Sequence, residues 1–233
     1  MRIIVRSSGE RTRDECIRLA QREGDVDVIE GVTPFSEALR ETYRLGMTYD
    51  QQWIPVIDAD VLLYSGTLTK AVEMADKLKD VFCWDGKTDD KILATVRRAG
   101  IHIYYQPLLE QAIELVPEAI KPETRTRQYM AERGHRTHVG DIVFGKHDYE
   151  QYYRDLWRKS YLQVQKLGGK VPKHAHKWKR LSQRDDDYRV IEAAHKAGKR
   201  THGDKVFDAS VNYGAEQAIA QLGLQEKSRY VAV

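Results

Sequence analysis

Along the first 60 residues, apolar patterns typical of strands alternate with apolar patterns typical of helices. The apolar run Arg2–Arg6 leads into Ser7-Ser8-Gly9 and predicts a strand that ends in a turn. Residues 12–22 carry apolar side chains on one helical face, and residues 26–29 alternate apolar with acidic positions as a short strand does. The uninterrupted apolar run Trp53–Ile57 is typical of a strand that is buried on both faces.

A helix is predicted between the second and third of these strands. Thr33 is placed as its N-cap and Pro34 as its first helical residue, and the helix is expected to end near Gly46. Strand, helix, strand, helix, strand within 60 residues predicts a parallel sheet with crossover helices. The expected fold class is therefore α/β, with a Rossmann-like, mostly parallel sheet flanked by helices.

Beyond residue 60 the pattern is less regular. It predicts strands at 81–84, 100–105 and 139–144, and helices at 67–78, 108–116, 149–167, 187–197 and 215–222, with one more ending near Gly134. Residues 170–184 lack apolar periodicity and are predicted as a linker or a basic loop. The expected domains are a core of residues 1–167 and a basic, mostly helical extension of residues 168–233.

The net positive charge of the chain comes from one block of residues. The net charge is +3, but residues 166–205 carry 12 basic against 5 acidic residues, and residues 1–165 carry 24 against 27. Such a block can contact phosphates, or it can be solvated surface. No apolar run is long enough to cross a membrane, and the charged N-terminus is predicted as a strand, not a signal peptide. Two cysteines need no oxidising compartment, so the expected location is cytoplasmic.

Asp58-Ala59-Asp60 is the strongest chemical signal in the sequence. Pairs of acids two residues apart also occur elsewhere in the chain, and such a pair alone has little meaning. This pair follows directly after the predicted buried strand, at the end where open α/β sheets bind ligands. A divalent cation such as Mg²⁺ or Mn²⁺ binds carboxylate oxygens there and completes its shell with diphosphate oxygens and water. The alternative is an acidic turn.

Three stretches resemble the GT-A nucleotide-sugar transferases with a DxD motif, in a family 2-like branch of bacteria and phages. They are the loop at 6–12, the helix at 33–40 together with the strand that ends in Asp58-Ala59-Asp60, and the segment 145–155. The resemblance covers about residues 1–165. It implies a hexosyltransferase that takes a nucleotide-diphosphate sugar, with a UDP-sugar expected, and uses Mn²⁺ or Mg²⁺.

The resemblance also implies roles for single residues. It implies a metal site of Asp58, Asp60 and His147, and a donor site of Arg6, Ser7, Arg11, Thr33, Arg40, Asp58 and Ala59. Asp148 is interpreted as the N-cap of the helix predicted from 149 or as the base that deprotonates an acceptor hydroxyl. His147 is alternatively a cap of that helix. Asp90 is interpreted as a catalytic carboxylate or as part of a turn.

The acceptor is predicted from the basic block. Four residues are predicted to contact it or its phosphates: Lys173, Lys177, Trp178 and Arg180. The favoured hypothesis is duplex DNA carrying 5-hydroxymethylpyrimidine, as in phage DNA modification, which would place the protein in the host cytoplasm. A saccharide or protein acceptor is the alternative.

Three other functions are weighed against this one. Sugar-1-phosphate nucleotidyltransferases need a glycine-rich loop after the first strand, and only Gly9 is present there. Dinucleotide oxidoreductases are excluded because no GxGxxG follows any predicted strand. A nucleic-acid-binding module with a degenerate transferase core is disfavoured by the intact Asp58 and Asp60.

Overall fold

A computed structural model describes residues 1–119, 121–166, 175–200 and 214–231. They fall into two compact units. The first comprises Met1–Asp89 and Val96–Tyr149, and the second comprises Asp90–Thr95 and Glu150–Val231. This grouping places residues 150–166 with the C-terminal helices, whereas the sequence prediction places them in the core.

The first unit contains the strands of the described chain and five of its helices. Its strands are β1 (Arg2–Ser7), β2 (Asp25–Glu30), β3 (Trp53–Asp58), β4 (Val61–Leu63), β5 (Val81–Asp90), β6 (Thr95–Tyr105), β7 (Arg136–His138) and β8 (Val143–His147), of which the end residues Asp90 and Thr95 are grouped with the second unit. Its helices are α1 (Arg13–Ala20), α2 (Phe35–Met47), α3 (Thr67–Ala75), α4 (Leu109–Glu114) and α5 (Pro122–Glu132). A 3-10 turn at Gln106–Leu108 precedes α4.

The sheet is mixed. Its strand order is β2-β1-β3-β6-β5-β8-β4, with β7 beside β5. β1 is parallel to both β2 and β3, as the alternation of strands and helices predicts, and β5 is parallel to β7. β3 is antiparallel to β6, and β4 is antiparallel to β8. The parallel prediction therefore holds for the first three strands, while β6 runs opposite to them.

Alternation along β1 explains the two cores of this unit. Successive side chains of a strand point to opposite faces. Ile3 and Val5 accordingly belong to one buried cluster with residues of α1 and α3, and Ile4 belongs to another with residues of α2 and α4. Both faces of the strand are covered by helices, so a continuous apolar run is needed there.

The second unit contains helices packed around their own core. The helices are α6 (Tyr153–Lys166), α7 (His176–Leu181), α8 (Asp186–Arg200) and α9 (Ala215–Gln221). Their apolar faces bury Leu156, Trp178, Ile191 and Ile219 in one cluster. The Glu226 carboxylate accepts hydrogen bonds from the backbone N–H groups of Tyr153 and Arg154, at 2.7 and 3.0 Å. It therefore satisfies backbone donors at the N-terminus of α6.

Several predicted boundaries need correction. The helix predicted over 149–167 begins at Tyr153, because Asp148 and Glu150 adopt left-handed backbone angles (φ 62° and 57°) that a right-handed helix excludes. Asp148 and His147 therefore do not cap that helix. Thr33 is not the N-cap of α2, since Pro34 takes that position after a cis peptide bond.

Other differences concern elements that the pattern does not reveal. The strand predicted at 81–84 extends to Asp90, and β4 follows the acidic pair where no element is predicted. Helix α7 lies within the stretch predicted as a linker. No helix in the described parts of the chain is both long and apolar enough to cross a membrane.

Candidate active site

The carboxyl ends of β1 and β3 meet at one edge of the sheet. The two strands are parallel neighbours, and their register sets Arg6 opposite Asp58. Ligands of open α/β sheets bind at this kind of edge. The pairing therefore brings Arg6 and Ser7, which end the first strand, to the acidic pair that ends the third.

A cavity of about 170 Å³ opens at this edge. Apolar groups from β2, α2 and the segment between them contribute to its wall: Ile29, Val32, Phe35 and Ala38. The charged residues of its wall are Arg6, Glu10, Asp58 and Asp60. One cation against three carboxylates gives these residues a formal charge of −2. An anionic ligand therefore needs a bound cation to enter favourably.

Backbone contacts fix the acidic turn to the loop after β1. The Thr12 hydroxyl donates to the Ala59 carbonyl at 2.9 Å, and the Ala59 N–H donates to the Arg6 carbonyl at 2.9 Å. In the same loop, the Glu10 carboxylate accepts the Ser7 hydroxyl at 2.9 Å and the Ser8 hydroxyl at 2.7 Å. These hydrogen bonds therefore hold the acidic turn and the loop after β1 together at the cavity wall.

Asp60, His147 and Asp148 come together because β4 pairs with β8. Val61 lies opposite His147 in that pairing, and the Asp148 N–H donates to the Asp60 carbonyl at 3.1 Å. His147 Nε2 lies 3.4 Å from Asp60 Oδ1, and its Nδ1 lies 3.2 Å from Asp148 Oδ2. The three residues are buried, and one ligand atom from each lies within 4.8 Å of the others.

This group suits a divalent cation. Carboxylate oxygens are preferred by Mg²⁺ and Mn²⁺, and imidazole is acceptable beside them for Mn²⁺. Among the described residues it is the one group of three or more His, Cys, Asp or Glu side chains with this geometry. Asp58, predicted as a ligand, lies outside it. The Asp58 carboxylate instead pairs with Arg6, at 2.8 Å from Nη2.

The Gly100 backbone leaves the space beside the His147 ring. Its φ is +68°, and a Cβ there would lie 2.5 Å from Val61 Cγ2 and 3.0 Å from His147 Cδ2. At Gly134 (φ +90°) a Cβ would meet no atom within 4 Å. Both alanine substitutions incur the cost of a left-handed backbone, but only Gly100→Ala adds a clash.

We therefore expect Gly100→Ala to lower the free energy of unfolding by about 1–3 kcal/mol more than Gly134→Ala. It should also weaken Mn²⁺ binding, because the ring of His147 is displaced. Denaturant unfolding and calorimetric Mn²⁺ titration of both variants measure the two effects. Equal losses of unfolding free energy and of Mn²⁺ affinity in the two variants would mean that the space beside His147 affects neither stability nor metal binding.

A chain of charged side chains leads from the cavity into the sheet. Arg6 is 5% exposed and joins Asp58 to Glu123, with its Nη1 2.9 Å from Glu123 Oε1. His102 Nε2 lies 2.9 Å from Glu123 Oε2, and its Nδ1 lies 3.3 Å from Asp85 Oδ1. Arg127 lies 3.5 Å from Asp85 and closes the group.

Ion pairs with opposite charges dominate this group, although Arg127 Nη1 also lies 2.9 Å from His102 Nδ1. Burial and the positive charge of Arg127 lower the pKa of His102, but the Glu123 carboxylate and the hydrogen bond to Asp85 outweigh both and hold the pKa well above its ordinary value. Burial raises the pKa of Glu123, but the charges of Arg6 and His102 outweigh burial and hold it well below its ordinary value. Both shifts favour the charged form of the group in the folded protein.

The raised pKa of His102 predicts a pH dependence of stability. The folded protein keeps a proton on His102 that the unfolded chain releases above about pH 6.5. Stability from this group is complete below that pH and is lost as the pH rises toward the folded-state pKa. The slope is at most about 1.4 kcal/mol per pH unit. Unfolding of wild type and His102→Gln between pH 6 and 8 measures it.

The control for this experiment is His135→Gln, at a half-buried histidine of the same unit. We expect the decline of stability with pH to flatten in His102→Gln and to persist in His135→Gln. An unchanged slope in His102→Gln would contradict a charged His102 in the folded protein.

The structure brings part of the predicted donor site together. Arg6, Ser7 and Asp58 line the cavity together with Asp60, which is predicted as a metal ligand, and Ala59 contributes backbone groups that hold the acidic turn. The other predicted donor residues lie elsewhere. Arg11 is half-buried in the same loop but does not line the cavity, and Thr33 is exposed. Arg40 is engaged by Glu37, by Glu118 and by the Val116 carbonyl.

Asp148 and Asp90 occupy different surroundings. Asp148 belongs to the group with Asp60 and His147. Asp90 is buried in the second unit, where its Oδ1 accepts the Leu93 N–H at 2.7 Å. The interpretation of Asp90 as part of a turn is thus the one that the contacts favour.

The predicted acceptor residues are mostly engaged within the second unit. Trp178 is buried, and its indole N–H donates to the Ile92 carbonyl at 2.8 Å, so it is not available for stacking. Lys177 Nζ donates to the Ala94 carbonyl at 2.9 Å. Arg180 is exposed. Lys173 lies outside the described residues.

Sequence reasoning missed the interior side of this site. Asp85 and His102 are charged residues within buried strands, and that interruption of an apolar run was a usable signal. Glu123 and Arg127 lie on α5, whose sequence shows no distinguishing pattern. Phe35 is 45% exposed at the start of α2 and lines the cavity, which the sequence does not indicate.

No protein-family model matches the sequence, and no curated protein matches it in sequence. Solved structures do match its fold. A mannosyltransferase from Pyrobaculum calidifontis, in complex with GDP-Man and Mn²⁺, is 13% identical with a TM-score of 0.52, over 95% of this chain and 79% of that one. The predicted GT-A type α/β fold is confirmed by this likeness and by the described sheet.

Two further structures match less well. S. aureus TarS 1-349 in complex with UDP-GlcNAc is 15% identical with a TM-score of 0.40, over 95% of this chain and 79% of that chain. A cytidylyltransferase from Leptospira borgpetersenii is 15% identical with a TM-score of 0.40, over 88% and 80%.

Proposed function

We propose that this protein is a metal-dependent glycosyltransferase that moves a sugar from a nucleoside diphosphate sugar to an acceptor hydroxyl. The observation that carries the proposal is the position of Asp60. Its carboxylate lines the cavity at the carboxyl edge of the sheet and also belongs to the group with His147 and Asp148. A donor in the cavity therefore reaches a cation held by that group.

The charge of the cavity wall supports a metal-dependent donor. One guanidinium against three carboxylates repels a diphosphate, and a divalent cation cancels the formal charge of −2 on these residues. We assign the cation to Asp60, His147 and Asp148, with Mn²⁺ or Mg²⁺ as the ion. When bound, it neutralises the charge of the departing nucleoside diphosphate. Asp148 is then a ligand in this proposal and not the catalytic base.

The remaining polar groups of the wall bind and orient the donor. The Asp58 carboxylate is an acceptor for hydroxyl or N–H groups, and Arg6 holds it in place. The apolar side chains of Val32 and Phe35 offer a surface for the flat base of a nucleotide. The expected UDP-sugar stays a prediction, and the fold is shared with a protein bound to GDP-Man. Both nucleotides therefore belong in the test.

For the acceptor we propose a hydroxymethylated pyrimidine in duplex DNA. Residues 166–205 carry 12 basic against 5 acidic side chains, and Arg180 in their described part is exposed. Phosphate contacts by such a block give affinity for DNA that falls with salt. A saccharide or a protein hydroxyl is the alternative acceptor.

A donor panel tests the proposal. UDP- and GDP-sugars are incubated with the protein and Mn²⁺ or Mg²⁺, with and without hydroxymethylated duplex DNA, and release of nucleoside diphosphate is measured. We expect slow, metal-dependent release with one donor and faster release with the modified DNA. If release is the same with and without DNA, the protein is still a transferase, and its acceptor is a saccharide or a protein. DNA binding without release from any donor would favour a binding module with an inactive core.

A further inference from the structure

The donor cavity is connected to the interior of the first unit by six ionisable side chains. Asp58, Glu123 and Asp85 alternate with Arg6, His102 and Arg127, so that three acids face three bases. Only Asp58 and Arg6 of this set line the cavity. The other four lie behind it, beyond contact with a ligand in the cavity.

Arg6 is the link between the cavity and the interior. Its Nε and Nη2 lie 3.0 and 2.8 Å from Asp58 Oδ1, and its Nη1 lies 2.9 Å from Glu123 Oε1. A guanidinium is planar, so two carboxylates at different edges fix its orientation as well as its position. The orientation of Arg6, and through it that of Asp58, therefore depends on Glu123.

Glu123 is itself held from several sides. The Tyr104 hydroxyl donates to Oε1 at 2.6 Å, and His102 Nε2 lies 2.9 Å from Oε2. Only 13% of its side chain is exposed. Buried ion pairs are often no more stabilising than apolar side chains of the same volume, so stability alone does not account for this arrangement. A carboxylate fixed at the cavity wall is a better account of it.

We propose that Glu123 is a positioning residue of the donor site, which acts through Arg6 to hold the Asp58 carboxylate at the cavity wall. The inference rests on the proposed function. It predicts that Glu123 affects binding of the donor and leaves the cation unaffected, because Glu123 acts on Arg6 and does not belong to the group of Asp60, His147 and Asp148.

The test compares Glu123→Gln with the matched control Glu132→Gln, an exposed residue on the same helix. Donor KM, kcat and Mn²⁺ affinity are measured with the donor that the panel identifies. We expect Glu123→Gln to raise donor KM at least about tenfold, the effect of one hydrogen bond to a charged group, with kcat and Mn²⁺ affinity preserved. Glu132→Gln should match wild type.

Two further variants separate positioning from damage to the fold. Tyr104→Phe removes one donor to Glu123 without changing any charge, and we expect it to raise donor KM about two- to fivefold. The double variant Arg6→Gln with Glu123→Gln removes one charge of each sign and should fold even if Glu123→Gln does not. Its donor KM should equal that of Arg6→Gln alone, since Glu123 acts only through Arg6.

The outcomes distinguish this inference from the proposed function. Donor KM unchanged in Glu123→Gln, while wild type is active, overturns the positioning role and leaves the transferase intact. Effects of Glu123→Gln and Arg6→Gln that multiply in the double variant overturn it as well. If the wild-type protein bound no nucleotide sugar, both the proposed function and this inference would be overturned.

Discussion

Asp60→Asn is expected to lower Mn²⁺ affinity at least about 100-fold, since loss of a residue that only supports a metal ligand already costs 10–100-fold. The substitution removes a charge and a ligand oxygen from a group of three. Asparagine keeps the size of the side chain and leaves the β4–β8 pairing in place. Nucleotide-sugar turnover should fall with the loss of the metal. Calorimetric titration with Mn²⁺ measures the affinity, and nucleoside diphosphate release measures turnover.

Two comparisons make this result specific. Asp76→Asn, at an exposed acid after α3, should bind Mn²⁺ as wild type does. Asp58→Asn should retain Mn²⁺ binding and weaken donor binding, because the Asp58 carboxylate pairs with Arg6 and lies outside the group of three. Full Mn²⁺ affinity in Asp60→Asn, or its loss in Asp58→Asn alone, would contradict the assigned ligands.

Glu123→Ala is expected to lower the free energy of unfolding by about 3–5 kcal/mol. The substitution leaves Arg6 and His102 buried beside a missing carboxylate, and it removes the acceptor of the Tyr104 hydroxyl. Asp58 still pairs with Arg6 and Asp85 with His102, but three positive side chains then face two carboxylates, and the excess buried charge loses its hydration without compensation. Denaturant unfolding at pH 7 measures it.

Glu132→Ala on the same helix is the control for this prediction. Its side chain is exposed, so we expect a change within about 0.5 kcal/mol. Combining Glu123→Ala with Arg6→Gln should recover part of the loss, because the second substitution removes the excess positive charge and restores an equal number of acidic and basic side chains. Additive losses in the double variant would show that the two side chains do not interact energetically.

The sequence by itself determined the first half of the sheet. The apolar runs of β1, β2 and β3 and the helical faces of α1 and α2 are local patterns, and the structure confirms each of these five elements. The place of Asp58 and Asp60 also followed from the sequence. Residues 53–57 are apolar without interruption because this strand is buried on both faces, so the acids that follow mark its end and the edge of the sheet.

The ends of helices and the burial of single side chains were harder to predict from the sequence. Asp148 looked like a helix cap because it precedes a run of aromatic residues, yet its backbone is left-handed and α6 begins at Tyr153. Trp178 looked accessible because its neighbours are basic, yet it lies in the core of the second unit. In both cases a contact made elsewhere in the chain outweighed the local composition.

Only the tertiary structure decided which side chains form the site. His147 and Asp148 reach Asp60 because β4 and β8 are antiparallel, and that pairing is set by the register of strands far apart in sequence. Arg6 and Glu123 are 117 residues apart and meet only in the folded chain. Periodicity reports which face of an element is buried, because burial selects apolar residues locally. It carries no information about which buried charge meets which, because that depends on the packing of all the elements together.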